Sequence, residues 1–169
     1  MKGVINTTTL AIYHMRNQPE PLGGSVTITC SIAGIQRFRA VDYAASKHAV
    51  LGFMRGLKQV LAYEKVPVRI NAVAPSWTRT GVIPEAIMKQ LGVELQTPLA
   101  VGRAAAGLMA DEKRDGHLVH VERGRYKEVE EAVLLPAFKD RILGEGVELE
   151  DTTLRHMMEA MGGEYKDKV

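Results

Sequence analysis

The chain has 169 residues, 46% apolar and 25% charged, a composition that supports one folded domain with a real core and argues against disorder. Its 22 basic and 20 acidic residues leave a formal charge of +2, too small to point to nucleic acid or another polyanion as partner. No apolar run nears the ~18 residues of a membrane span, threonines stand where a signal peptide would be apolar, and the lone Cys30 fits a reducing, cytoplasmic setting without disulfides.

From Met1 to Arg16 the spacing of Val4, Thr8, Ala11 and Met15 predicts a helix with one inward face. Pro19, Pro21, Gly23 and Gly24 break it. Ser25–Ser31 is a β-branched run of strand length, and Ala33–Val41 reads as a loop. Asp42 stands where it would cap a long helix from Tyr43 to about Glu64. Val50, Phe53, Met54, Leu57, Val60 and Leu61 give that helix an apolar stripe. Ala45, Ala49, Gly52 and Gly56 give it a second face, on which another backbone can approach closely.

Val66–Ala74 is the next predicted strand, stopped by Pro75. Short helices are expected over Pro84–Leu91 and over Pro98–Glu112, the second with proline in its first turn. Asp115-Gly116 marks a turn before a third strand, His117–Val121. Helices alternating with strands predict an α/β fold with a parallel sheet of about three strands. Beyond Pro136 the chain turns acidic and methionine-rich, so residues 136–169 are expected to form a helical extension to a domain spanning 1–135. Asp151 is placed to cap a helix running to about Met161, Gly162-Gly163 to end it, and residues 164–169 to fray.

Ligands of open α/β sheets sit beyond the C-terminal ends of the strands. Ser31 ends the first strand, Asn71-Ala-Val-Ala-Pro-Ser-Trp-Thr-Arg-Thr80 closes the second, and Tyr43-Ala-Ala-Ser-Lys47 opens the helix between them. Tyr43 and Lys47 are four apart and share a helical face. A phenol ionises near pH ~10 and exchanges protons poorly at neutrality, but an ammonium one turn away and a helix N-terminus both favour its anion. A serine hydroxyl at the strand end can hold a carbonyl oxygen while Tyr43 gives or takes a proton. Taken singly these signals are weak: Y-x-x-x-K is a common string, and serine at a strand end is ordinarily a cap or turn residue. Their order and spacing carry the argument.

The stretches TITCSIAG (Thr27 to Gly34), YAASKHAVLGF (Tyr43 to Phe53) and RINAVAPSWTRT (Arg69 to Thr80) resemble the catalytic half of the short-chain dehydrogenase/reductase family. The resemblance is strongest from Ser25 to Ile83 and continues more weakly to about Glu130. It implies a partial Rossmann-like, doubly wound sheet and hydride transfer between NAD or NADP and a small carbonyl or alcohol substrate. It also implies that Ser31 orients the carbonyl, Tyr43 transfers the proton, and Lys47 activates Tyr43 and holds the nicotinamide ribose. The segment after Pro75 would wrap the carboxamide, Thr78 through its backbone and Thr80 through its side chain. Family members are usually dimers or tetramers, and the Tyr43–Glu64 helix is the expected face for a homo-oligomer.

The departures from that pattern are as specific. No G-x-G-x-x-G follows a strand in this sequence, so the turn that receives a pyrophosphate on a helix N-terminus is missing from it. The chain opens at the helix that lies mid-way through the family fold, the family's catalytic asparagine would fall just before Met1, and Ser76 stands where glycine is frequent. A truncated form is therefore expected, one that grips the nicotinamide end but not the adenosine end. Its first strand would become a sheet edge, covered by a second chain, by the N-terminal helix or tail, or by residues outside this sequence.

Two other readings keep the same residues. A cofactor-independent isomerase, dehydratase or cyclase would reuse Ser31, Tyr43 and Lys47; a non-catalytic remnant would bind a partner through the small-residue face and the open strand edge. Outside the site, Cys30 is expected to be a buried, inert thiol. His117 and His120 are expected on opposite faces of a strand and unsuited to a metal, His48 is expected to pack or face solvent, and His14 and His156 lack ligand-like neighbours. Trp77 either lines the substrate pocket or packs. Arg37, Phe38 and Arg39 either meet an anionic or aromatic substrate or form a solvated loop. Met157, Met158 and Met161 suggest a core face, an oligomer face or a lid.

Overall fold

The computed structural model describes residues 1–18 and 23–161. Pro19 and Pro21 of the expected break, the expected stop at Gly162-Gly163 and the expected fraying of 164–169 lie outside the described residues. The chain divides into two compact units, Met1–Ala132 and Val133–Val169.

In the first unit, helix α1 (Lys2–Arg16) leads to strand β1 (Gly24–Thr29). A single tight turn, Ile32–Gly34, and an extended stretch then lead into helix α2 (Val41–Tyr63). Strand β2 (Val68–Pro75), helices α3 (Glu85–Gln90) and α4 (Pro98–Ala110), and strands β3 (Leu118–Glu122) and β4 (Arg125–Glu128) follow. The sheet order is β1-β2-β3-β4, with β1, β2 and β3 parallel and β4 antiparallel to β3. This is the expected α/β fold with one strand more than predicted.

The faces follow from register. Cys30 donates its S–H to the Lys47 carbonyl at 3.4 Å, so its side of β1 looks toward α2. Ile28 pairs with Ala72 and Thr29 with Val73. In a parallel ladder such partners share a face, so Ile28 and Ala72 lie on the α2 side and Thr29 and Val73 on the other. On that other side Val73, Val119 and Val121 pack against Ala100, Ala104 and Leu108 of α4. The helices thus cover opposite faces, and β2 between them is buried through six of its eight residues. Because β1-α2-β2 and β2-α4-β3 step the same way across the sheet on opposite faces, they have opposite hands. The rule for such crossovers is right-handed, so one of the two breaks it.

Three polar side chains stitch the N-terminal end of this sheet. Arg69 donates from Nη1 to the carbonyls of Leu108, Asp111 and Arg114 at 3.1, 3.1 and 2.7 Å, and from Nη2 to Met109 at 2.9 Å. These are carbonyls at and beyond the end of α4 that no helical N–H can reach. Asn71, fully buried, donates to the Arg114 carbonyl and accepts from the His117 N–H. Asp115 accepts from the Ile70 N–H and pairs with Lys58. At β4's end, Glu128 accepts from the N–H groups of Leu118, Glu130, Glu131 and Ala132, and Glu130 forms a two-pronged ion pair with Arg55 of α2.

Several sequence expectations need correction. Helix α2 begins at Val41 with Ala40 as its N-cap, and Asp42 makes no capping bond; it sits inside the first turn. Helix α6 (Glu150–Ala160) likewise begins before Asp151, with Leu149 as N-cap. An acidic side chain in the first turn complements the helix dipole as well as one at the cap does, so the residue type alone does not fix the boundary. Strand β4 is entered through a two-residue turn in which Arg123 and Gly124 both have positive φ, 49° and 71°, the backbone of a type I′ hairpin. The second unit contains a short helix α5 (Leu135–Phe138), a wide helical turn Lys139–Leu143, and α6.

Candidate active site

The expected residues gather at the C-terminal ends of β1 and β2, as a parallel sheet requires. Ser31 follows β1 and is buried. Its Oγ accepts the Ala33 N–H at 3.2 Å and so caps the Ile32–Gly34 turn. The hydroxyl proton is not used in that bond, and Ser31 keeps one donor for a ligand. Gly34 is fixed by close approach: a Cβ there would lie 2.9 Å from the Lys47 carbonyl oxygen. The β1–α2 connection is therefore pressed against the helix turn that carries Lys47.

Tyr43 stands in the first turn of α2 and is 45% exposed. Its hydroxyl has no hydrogen-bond partner among the described residues. Lys47, one turn on, places Nζ 5.6 Å from the centre of the Tyr43 ring, within cation–π reach. The same Nζ donates to the Thr29 carbonyl at 2.9 Å, which leaves two of its three N–H donors unused. Helical spacing brings Tyr43 and Lys47 together, and the Thr29 carbonyl ties the pair to the tip of β1. Ser31 and Tyr43 do not hydrogen-bond to one another.

The segment after Pro75 is held by a residue the sequence did not flag. Gln96, buried, donates from Nε2 to Thr78 Oγ1 at 3.1 Å and to the Val121 carbonyl at 2.9 Å. Its backbone N–H reaches the Trp77 carbonyl at 3.0 Å, and its carbonyl accepts the Arg79 N–H at 2.8 Å. Thr78 Oγ1 also donates to the Ser76 carbonyl at 2.9 Å, so its hydroxyl is fully engaged. Thr80 is exposed and its hydroxyl makes no hydrogen bond among the described residues. Only the bridge between Thr78 and Gln96, eighteen positions apart, could have marked Gln96, and no local pattern encodes it.

Of the remaining candidates, Cys30 is buried beneath α2, and burial pushes its thiol pKa up, partly opposed by the Ser31 hydrogen bond and the Lys47 and Arg55 charges. His117 precedes β3 rather than lying in it. His120 binds the Ala74 carbonyl through Nδ1 at 2.8 Å. Among the described residues no three His, Cys, Asp or Glu side chains gather as a metal ion would need. No described helix is long and apolar enough to cross a membrane.

The short chain dehydrogenase profile matches residues 1–91. The chain belongs to that family. It is 52% identical over 164 residues to the short-chain dehydrogenase/reductase ascJ of Acremonium egyptiacum, covering 96% of this chain and 55% of the relative. It is 25% identical over 154 residues to 15-hydroxyprostaglandin dehydrogenase [NAD(+)] of Rattus norvegicus, covering 80% of this chain and 57% of that protein. The crystal structure of 3-hydroxyacyl-CoA dehydrogenase type-2 from Mycobacterium avium shares the fold, with a TM-score of 0.63 at 24% identity over 76% of this chain and 55% of that one. The chain thus spans a little over half the length of these short-chain dehydrogenase relatives.

Proposed function

We propose that the chain carries the carbonyl–alcohol site of an NAD- or NADP-dependent oxidoreductase, with Ser31, Tyr43 and Lys47 as its reacting groups. The observation that carries this reading is the Lys47 ammonium held over the ring of an exposed Tyr43 at the C-terminal end of the sheet. Ser31 donates its free proton to the substrate oxygen and holds it in place. Tyr43 gives its phenolic proton to that oxygen in reduction and takes it back in oxidation. The Lys47 charge offsets the negative charge left on the phenolic oxygen.

The residues present fit the nicotinamide end of a dinucleotide. Lys47 has two donors left for ribose hydroxyls, Thr80 has a free hydroxyl, and Gln96 fixes the backbone of residues 76–80. Pro75 ends β2 and starts that segment. When bound, the nicotinamide exchanges a hydride, so NAD(P)H, a carbonyl and a proton give NAD(P)+ and the alcohol.

Ala45, Ala49, Gly52 and Gly56 of α2 are all exposed, and a Cβ at Gly52 or Gly56 would meet nothing within 4 Å. This open small-residue face supports a homo-oligomer formed through α2. Gly52→Leu is expected to shift a dimer toward monomer in analytical ultracentrifugation; an unchanged mass refutes that interface.

The activity is tested by following NADH and NADPH absorbance with a panel of ketones, for the chain and for Tyr43→Phe. Turnover that needs a nicotinamide and falls at least ~100-fold in Tyr43→Phe supports the reading. Turnover without added nicotinamide points instead to the isomerase or cyclase alternative, and turnover indifferent to Tyr43→Phe removes Tyr43 from the chemistry.

A further inference from the structure

This inference rests on the preceding reading in one respect, that Tyr43 stands at the reacting centre. Phe38, in the extended stretch between Ser31 and α2, lies with its ring centre 6.0 Å from Tyr43 and 6.2 Å from Trp77. The rings are tilted by 54° and 50°, within the offset and edge-on geometries that aromatic pairs prefer. The stretch that leads into α2 and the segment after β2, nearly forty residues on, thus bring three rings to one place.

Packing does not account for this cluster. Among the described residues the buried core is built of Ile, Leu, Val, Ala, Met and Cys, without a single Phe, Tyr or Trp. The fold fills its interior without aromatic rings. Trp77 nonetheless leaves 42% of its surface exposed and Tyr43 45%, in the segments that hold the free hydroxyls. Such rings gathered at a polar site are what a ligand pocket uses to bind and orient an apolar body.

We propose that Phe38 and Trp77 form an aromatic wall that selects substrates whose carbonyl or alcohol is attached to a flat aromatic or conjugated ring. The ring stacks or lies edge-on against Phe38 and Trp77, which points its oxygen at Tyr43 and Ser31. A puckered, saturated ring of the same size meets the wall with fewer contacts and no quadrupole match.

The test uses the full chain and two matched ketones, acetophenone and cyclohexyl methyl ketone. Trp77 is the only tryptophan, so its fluorescence reports this wall alone, with or without cofactor. Free N-acetyltryptophanamide corrects for collisional quenching. Acetophenone is expected to quench Trp77 saturably and the saturated ketone to bind about tenfold more weakly. Phe38→Leu is expected to cut the aryl-over-saturated preference about tenfold, in binding and in kcat/KM, while Phe38→Tyr retains it. Equal quenching by both ketones, or a preference unmoved by Phe38→Leu, overturns the proposal. Should Phe38→Leu not fold, calorimetric titration of Trp77→Leu with the same pair decides: a retained preference overturns the wall, a lost one supports it. Ring-selective binding without nicotinamide-dependent turnover overturns the oxidoreductase reading but leaves the wall standing. Turnover of both ketones without ring preference does the reverse.

Discussion

Arg69 and Asn71 at one end of the sheet and Tyr43, Lys47 and Thr80 at the other use their hydrogen-bonding groups in opposite ways. At the N-terminal end, Arg69 makes four hydrogen bonds to carbonyls and Asn71 uses both its amide oxygen and its nitrogen. At the C-terminal end, the Tyr43 and Thr80 hydroxyls have no partner among the described residues, Ser31 keeps its proton, and Lys47 spends one donor of three. Polar groups that hold a fold are saturated, because a buried donor left alone costs about 1–3 kcal/mol. Tyr43 and Thr80 are exposed, so water can serve their hydroxyls. Hydrogen-bond occupancy separates Arg69 and Asn71 from Tyr43, Lys47 and Thr80, but not one whole end from the other: Ser25 Oγ and Thr27 Oγ1 beside Arg69 and Asn71 are buried without a partner, and the Thr78 hydroxyl both donates and accepts.

Lys47→Ala is the hardest test of that contrast. Activity is expected to fall about 100-fold or more while unfolding free energy changes by less than ~1 kcal/mol. A variant that unfolds but keeps its residual activity per folded molecule would invert the assignment. Arg69→Met probes the other end: it keeps the apolar stem and removes a donor from four carbonyls, of which Asp111 keeps the Arg114 N–H and Arg114 keeps Asn71 Nδ2. Stability measured by urea denaturation should drop by about 2–4 kcal/mol with kcat unchanged.

Gln96→Leu falls between the two ends, since it removes the side-chain bonds that hold Thr78 and β3's Val121. A loss of about 1–2 kcal/mol is expected, together with a rise in KM for the nicotinamide cofactor but little change in kcat. A change in kcat alone would mean that the 76–80 segment touches the reacting atoms instead. The smallest effect concerns Cys30. Its pKa is raised in the folded chain by burial, so the folded state holds the thiol proton more tightly than the unfolded one. Stability should therefore fall as pH rises past the ordinary thiol range, and Cys30→Ala should flatten that slope. Denaturation midpoints at several alkaline pH values read this directly, and a slope that persists in the variant assigns it to another group.

How much of this was legible in the sequence depended on range. The period of α2, the β-branched runs of β1 and β2, and the Tyr43–Lys47 spacing are local, and the elements appear where periodicity puts them, although Val60 of the expected stripe is exposed and Leu51 outside it is buried. Strand β4 was missed because Arg-Tyr-Lys-Glu has no apolar alternation: three of its four residues are exposed. Its only signal was the Arg123-Gly124 turn. The caps at Asp42 and Asp151 failed because an acidic residue serves a helix start equally from inside the first turn. Arg69, Gln96 and the Phe38–Trp77 pair were not readable as partners, since each meets groups from 18 to 45 residues away, a distance at which only the folded register supplies the neighbour.

The anchor of Lys47 is the carbonyl of Thr29, not its side chain. Every residue type offers the same oxygen at that position. Mutation at 29 can alter the exposed side chain freely, but drift cannot delete the lysine's tether. A library varying Thr29 should keep the ammonium in place throughout, so the side chain at this strand tip can change without moving Lys47.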